Sequence, residues 1–397
     1  AMYQLKTGRP RPVLLEIPPD ILAASGQPVF LEKQHCSIKS PPIRKEISEA
    51  ANILLSAKYP IILSGGGAIT SGSSKEILDV AEFLQSPIVT TPEGKGIVPE
   101  SHYLCMGGAS VGLGPMKDII PRADVILGVG TRMVLTAMKI KPEQKLIHID
   151  IDPSEIGKLW PTKVGINSDA KPALMALLKQ LNAKGDARPS RKKEYENTKV
   201  NIRKELEKFG SDSIEIIKSI KRELATDSIL ISGMTCVGYW DRLAYEAEMP
   251  RSYITSGYFG TLGFAFPTGL GAKVARPNSQ VVVISGDGGF MFNVQELSTA
   301  VKYQINTVTL VFNNSLFGAS AYDQKNQFQG RYIGTDLVNP NFVKLAESFG
   351  AVGLRVEDPA KIGDVLKMAL RMDKPVIIEV VVPNMLPPFE IPGNSIH

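Results

Sequence analysis

Cysteine is scarce in this 397-residue chain. Cys36, Cys105 and Cys236 lie far apart, and no Cys-x-x-Cys pair exists. A sparse, odd count fits a reducing cytoplasm. Histidine is scarce too. His35, His102, His148 and His397 form no spaced cluster with the cysteines, which argues against a zinc site. No apolar run reaches the ~18 residues that would suggest a membrane helix. The opening AMYQLKTGRP has no signal-peptide pattern. A formal net charge of +5 is spread thinly, with no polybasic block or tail, so composition gives no reason to expect a nucleic acid partner. The densest basic run, Arg188 to Lys193, reads as a solvated linker. A soluble cytoplasmic protein is expected.

Apolar residues make up 43% of the chain, ample for sizeable cores. The length suggests two or three domains. Two halves repeat one rhythm of short apolar strand, loop and amphipathic helix. That alternation predicts an α/β fold: two parallel sheets with helices on both faces. In the first half, strands are expected at Pro60–Leu63, Pro87–Thr90, Asp124–Val129 and Lys145–Ile151. Helices are expected near Ile47–Ser56, Lys75–Leu84 and Lys171–Leu181. Lys184–Asn197 is polar and charged, with Gly and Pro, and reads as a linker. In the second half, strands are expected at Ser228–Ser232, Gln280–Ser285, Thr307–Phe312, Val352–Val356 and Pro375–Val382. Helices are expected at Ser213–Leu224, Gly263–Val274, Val294–Tyr303, Asn341–Phe349 and Ala360–Arg371. The first forty residues differ: GRPRPVLLEIPPDI is proline-rich around one short strand, Val13–Glu16. The expected division is 1–40 as the tail of another domain, 41–183 as a middle domain, 184–205 as linker and 206–397 as a second domain.

The most informative segment is VVVISGDGGFMFNVQELSTAVKYQINTVTLVFNNSLFG, Val281 to Gly318. A strand ends in Gly286-Asp287-Gly288-Gly289, a helical stretch follows, and a second strand ends in Asn313-Asn314. A right-handed crossover brings both strand ends to one edge of the sheet. Asp287 and Asn314, 27 positions apart, would therefore meet where open α/β sheets bind ligands. Asp287 offers a carboxylate oxygen, Asn314 an amide oxygen, and Leu316 a backbone carbonyl. Magnesium takes such oxygens and completes its octahedron with water and phosphates. Gly286, Gly288 and Gly289 let the backbone approach phosphates, and the following helix points its positive end there. A Gly-Asp-Gly triplet alone is read more simply as a plain turn. The complete strand, GDG, helix, strand and Asn-Asn pattern is far more specific.

That pattern resembles the signature shared by thiamine-diphosphate enzymes. The resemblance extends over about residues 5 to 385, to the acetolactate synthase and benzaldehyde lyase type. Upstream, SGYFGTLGFAFPTGLGAKVARP resembles the stretch that grips the cofactor's aminopyrimidine. It implies the Gly260 carbonyl as hydrogen-bond acceptor and Leu262 as the wedge that bends the cofactor, with Thr261 between them. Thr235 and Cys236 are implied near the diphosphate, although Gly233–Gly238 (GMTCVG) departs from the family's Asp-Val-Gly-Gln-His. For Cys236 itself, a small half-buried residue is the plainer reading. Phe317 completes the implied cofactor set beside Asn314 and Leu316.

SGGGAITSG, EGKGIVPESH, ILGVGTRM and HIDIDPSEIGK look like the family's Rossmann-like middle domain, which in some members carries FAD. The residues after Arg132 run MVLTAMK, without the acidic pair and arginine of FAD-binding members, so FAD is disfavoured. Asp150 and Asp152 read as a strand end and turn at Pro153. GRPRPVLLEIPPDI resembles the exit of the family's pyrimidine-binding domain, whose body is not in this sequence. The resemblance places the catalytic glutamate in that domain and assigns no acid–base residue here. It implies thiamine diphosphate and Mg2+ as cofactors, a 2-oxo acid such as pyruvate as substrate, and a homo-oligomer, dimer or tetramer. The pyrimidine-binding domain would come from a companion or parent chain. Carboligation to an acceptor is the expected reaction. A 2-oxo acid decarboxylase, a C–C lyase or a non-catalytic cofactor-binding fragment are the alternatives. The family's Gln-Trp-Gln run after the asparagine pair is here Tyr322-Asp323-Gln324, which weakens the specific acetolactate assignment.

Overall fold

A computed structural model describes residues 1–29, 41–109, 112–134 and 139–390. Cys36, His35, His397 and part of MVLTAMK lie outside the described residues. Among the described residues there are two six-stranded sheets, parallel throughout. The first contains β1 (Pro60–Ser64), β2 (Ile88–Thr90), β3 (Cys105–Gly108), β4 (Val125–Val129), β5 (Lys145–Asp150) and β6 (Val164–Asn167), in spatial order β3-β2-β1-β4-β5-β6. The second contains β7 (Ile229–Ser232), β8 (Tyr253–Thr255), β9 (Val281–Gly286), β10 (Val308–Asn313), β11 (Val352–Val356) and β12 (Val376–Val381), in order β11-β12-β10-β9-β7-β8.

The central strands read PIILS, VILGV and VVVIS because both faces are covered; every residue of β1 and β4 is buried. The helices supply that cover with one stripe each. Arg44–Ser56 buries Ile47, Ala50, Ala51 and Leu54, one face at helical spacing. Truncating a fully buried leucine such as Leu54 to alanine costs about 2–5 kcal/mol.

Three expectations change. Val13–Glu16 forms no strand and is exposed, so it has no buried face to hold it in a sheet. The stretch expected as linker is helical from Lys192 onward. Lys192–Glu223 is one 32-residue helix, kinked at Gly210 (φ −131°, ψ 33°), and the expected Ser213–Leu224 is only its second half. Its polar face concealed Tyr195, Ile202, Leu206, Ile214 and Ile217, which are buried. Within the basic run Lys192 and Lys193 are exposed, as expected, but Arg188 is half-buried. The Arg188 guanidinium donates to the carbonyls of Leu54 and Ala57 at 2.8 and 2.7 Å, satisfying the C-terminal end of the helix Arg44–Ser56. Strands β3, β6 and β8 were not expected, being three or four residues long. Among the described residues, no helix is long and apolar enough to cross a membrane.

The two sheets meet through residues 95–108 and 242–253. The Glu100 N–H donates to the Ala247 carbonyl at 3.0 Å, and the Ser101 hydroxyl to the Glu248 carboxylate at 2.7 Å.

Candidate cofactor and metal site

The order of the second sheet creates a crevice. From β7 the chain moves outward to β8, then returns to place β9 on the other side of β7. Loops leaving β7 and β9 therefore diverge, and ligands bind at such a switch point. The β7 loop carries Met234, Thr235 and Cys236; the β9 loop carries Gly286 to Gly289. The Gly233 N–H donates to the Ile284 carbonyl at 2.8 Å and pins the two loops together.

The residues expected from the sequence converge here. Thr235 sits at the N-cap of helix Cys236–Ala244, and a Cβ added to Gly286 would stand 3.3 Å from its side chain. A Cβ on Gly289 would stand 3.7 Å from Leu262, and one on Gly288 would enter the Phe317 ring. A Cβ on Gly318 would meet the Cys236 sulfur at 3.4 Å. Gly260 has φ +72°, a conformation glycine accepts without strain. Thr261 and Leu262 are exposed on the same turn. Burial pushes the Cys236 thiol up to about 11, which fits the inert reading of that residue.

Asp287 opens the short helix Asp287–Met291 and is buried. Its Oδ1 accepts from the Gly288 N–H at 2.9 Å. Its Oδ2 accepts from the Ser315 N–H at 2.8 Å and from Asn339 Nδ2 at 2.7 Å. Asp287 thus meets the loop after β10, as the crossover argument expected. Ser315 has φ +55°, unusual for a residue with a side chain. Its hydrogen bonds to Asp287 and to Asn313 Oδ1 hold it there. Asn314 Oδ1 accepts from the Leu316 N–H at 3.3 Å, and Asn314 Nδ2 reaches Asn384 Oδ1 at 3.5 Å.

Asp287, Asn314 and the Leu316 carbonyl are a hard-oxygen set with one negative charge, suited to a magnesium that keeps phosphate and water ligands. Among the described residues, no group of three or more His, Cys, Asp or Glu could hold a metal. Asn339, Asn313, Asn384 and Glu379 were missed from the sequence. Asn339-Pro340-Asn341 reads only as a loop before a helix, and no signal there links Asn339 to Asp287.

The first sheet has its own switch point, between β1 and β4. Gly65–Gly67 and Gly130 pack closely there, and a cleft of about 1300 Å³ opens in front. Arg132 stacks on Tyr258, 5.2 Å from its ring centre. Arg9 donates to the Glu155 carboxylate at 2.6 Å from the cleft's rim, and Arg11 pairs with Asp152. Asp152 accepts from the Ser154 N–H at 3.0 Å, and Asp150 from the Asp152 N–H at 2.9 Å, so the pair forms the expected turn.

Residues 47–177 match the family described as the central domain of thiamine pyrophosphate enzymes, and residues 233–380 their C-terminal thiamine-pyrophosphate-binding domain. The fold is that of a thiamine-diphosphate-dependent enzyme. A probable acetolactate synthase large subunit of Methanococcus aeolicus is 34% identical over 422 residues, spanning 96% of this chain and 70% of that protein. One from Methanocaldococcus jannaschii is 34% identical, spanning 98% and 70%. The acetolactate synthase large subunit of Haemophilus influenzae is 31% identical, spanning 100% and 73%. The chain belongs to the acetolactate synthase large-subunit family of thiamine-diphosphate enzymes.

Proposed function

We propose that this chain holds thiamine diphosphate and Mg2+ at the crevice between β7 and β9, for the decarboxylation of a 2-oxo acid, pyruvate foremost, and its carboligation. Asp287, Asn314 and the Leu316 carbonyl hold the metal. The backbone around Gly286, Gly288 and Gly289, with Thr235, Cys236 and Phe317, receives the diphosphate. Gly260, Thr261 and Leu262 face the remainder of the cofactor. Thiamine diphosphate, when bound, supplies the carbanion and electron sink for breaking the bond beside a 2-oxo group. The chain's own part is to bind, orient and exclude water. The observation that carries this reading is the Asp287 carboxylate at the end of β9, facing the loop of Asn314 and Leu316.

The catalytic glutamate and the rest of the pyrimidine site would come from a pyrimidine-binding domain of a companion or parent chain in a homo-oligomer. Phe259, Phe292, Ile333 and Val338, all strongly exposed, are sequence neighbours of the site residues. Exposed apolar groups beside a site fit a docking face. The relatives' names support carboligation. Tyr322-Asp323-Gln324 supports the second reading, a decarboxylase or C–C lyase, since the family's acceptor-shaping tryptophan is replaced.

Calorimetry tests the cofactor assignment. The 397-residue chain is expected to bind thiamine diphosphate only with a divalent cation, Mg2+ foremost, and Asp287→Ala to abolish that binding. Unchanged affinity in Asp287→Ala would overturn the site. Product analysis with pyruvate, in the presence of a pyrimidine-binding domain, separates acetolactate from free aldehyde.

A further inference from the structure

The Asp287 carboxylate is held more tightly on one oxygen than on the other. Among the described residues, Oδ2 takes two donors, the Ser315 N–H at 2.8 Å and Asn339 Nδ2 at 2.7 Å, whereas Oδ1 takes one, the Gly288 N–H at 2.9 Å. Asn339 does not act alone. Its Nδ2 also donates to Asn313 Oδ1 at 2.9 Å. Asn313 in turn donates through Nδ2 to Glu379 Oε1 at 2.7 Å, and Glu379 Oε2 accepts from Arg355 Nη1 at 2.9 Å. The Asn313 amide is thereby fixed at both ends: its nitrogen must face Glu379, so its oxygen must face Asn339. The relay runs from β11 (Arg355) through β12 (Glu379) and β10 (Asn313) to the end of β9, following the strand order at the sheet's edge. Glu379 is 1% exposed, so its charge is committed to these partners.

We propose that Asn339 is a positioning residue for the metal carboxylate: it occupies Oδ2 of Asp287, so that Oδ1 alone is presented to the cation. This inference rests on the magnesium–diphosphate reading of the crevice. Its consequence is metal preference. Mg2+ demands a near-ideal octahedron with single-oxygen ligands, whereas Ca2+ accepts two-oxygen carboxylates and higher coordination. Freeing Oδ2 from its side-chain donor favours the larger ion. A group that orients a metal ligand without touching the metal is commonly worth about 10- to 100-fold in affinity.

Thiamine diphosphate binding to the full 397-residue chain is measured by calorimetry, with Mg2+ and separately with Ca2+. Asn339→Ala is expected to weaken Mg2+-supported binding about 10- to 100-fold and Ca2+-supported binding much less, so the Mg2+/Ca2+ ratio falls. A loosened loop with no such role would weaken both metals in parallel. The ratio therefore separates positioning from structure, and an unchanged ratio overturns the proposal. Asn339→Gln, which keeps the amide but displaces it by one methylene, is expected to shift the ratio the same way and serves if alanine does not fold. Failure of the wild-type chain to bind with either metal, or wild-type binding by Asp287→Ala, would overturn the crevice reading and this inference with it.

Discussion

Tyr253 donates its hydroxyl hydrogen to Asp241 Oδ1 at 2.6 Å, and neither side chain meets solvent. Ser232 donates to the same oxygen at 2.9 Å, while Asp241 Oδ2 is buried without a hydrogen-bond partner among the described residues. Burial raises this carboxyl to about 7, against the pull of its two hydrogen bonds. In the unfolded chain it titrates near ~3.9. Between those values the folded state holds the extra proton, so stability is fullest below pH ~4 and is lost as pH rises toward 7. Asp241→Asn is expected to flatten that part of the stability profile and to raise stability at pH 8 relative to pH 5. Urea melts across pH 4 to 8 test it; a variant with the wild-type slope would mean Asp241 does not titrate in this window.

Lys95 and Glu100 form an ion pair at 2.7 Å, both sealed from water, with the ammonium 5.7 Å from the Tyr253 ring centre. Burial raises the Glu100 carboxyl, and Lys95 pulls it back. Lys95→Met leaves the acid without its partner and is expected to cost about 3–5 kcal/mol. The loss should grow as pH rises, because the folded state then favours the protonated acid still more strongly. Lys95→Met combined with Glu100→Leu is expected to recover most of the loss. Denaturant melts in which the double variant is no more stable than the single one would contradict this.

Much of this was legible because the physics behind it is local. The strands ending in Gly286 and Asn313 were readable as unbroken apolar runs bounded by glycine and asparagine, and the parallel crossover dictated that Asp287 and the Asn313–Asn314 loop converge. The rest depended on tertiary partners. Lys192–Glu223 looked like linker because its buried residues are spaced along a strongly charged helix. Asn339 stands 52 positions from Asp287 and joins it only through a folded loop. The cofactor stretches around Thr235 and Gly260 were found through family likeness; composition and periodicity would have left them as ordinary turns.

Gly210 lies at the kink of the long helix, and a Cβ there would stand 2.7 Å from the Trp240 indole. Trp240 is fully buried, and its Nε1 donates to the Leu386 carbonyl at 2.8 Å. Gly210→Ala must displace the indole or the helix. It is expected to cost about 1–3 kcal/mol and to shift tryptophan emission to longer wavelength as the indole is pushed from its pocket. Wild-type stability with unchanged emission would show that the helix yields without cost.

Two glycines are expected to respond to the same substitution with opposite signs. Gly271 lies in the helix Ala265–Ala275, is exposed, and an added Cβ would meet nothing within 4 Å. Gly271→Ala restricts the unfolded chain without strain and should stabilise by about 0.4–1 kcal/mol. Gly288 is buried, and its Cβ would enter the Phe317 ring and reach Leu337 at 3.0 Å. The Phe317 backbone is anchored by its N–H to the Thr335 carbonyl at 2.8 Å, so the ring must turn or the loop must move. Gly288→Ala should therefore cost about 1–3 kcal/mol and shift the loop that brings the Ser315 N–H and Leu316 carbonyl to the crevice. Thermal melts report the first effect for both variants. Magnesium-dependent thiamine diphosphate binding should fall only for Gly288→Ala, because Gly271 lies away from every residue of the cofactor set. Equal losses of binding in the two variants would mean that packing at Gly288 does not set the loop's position.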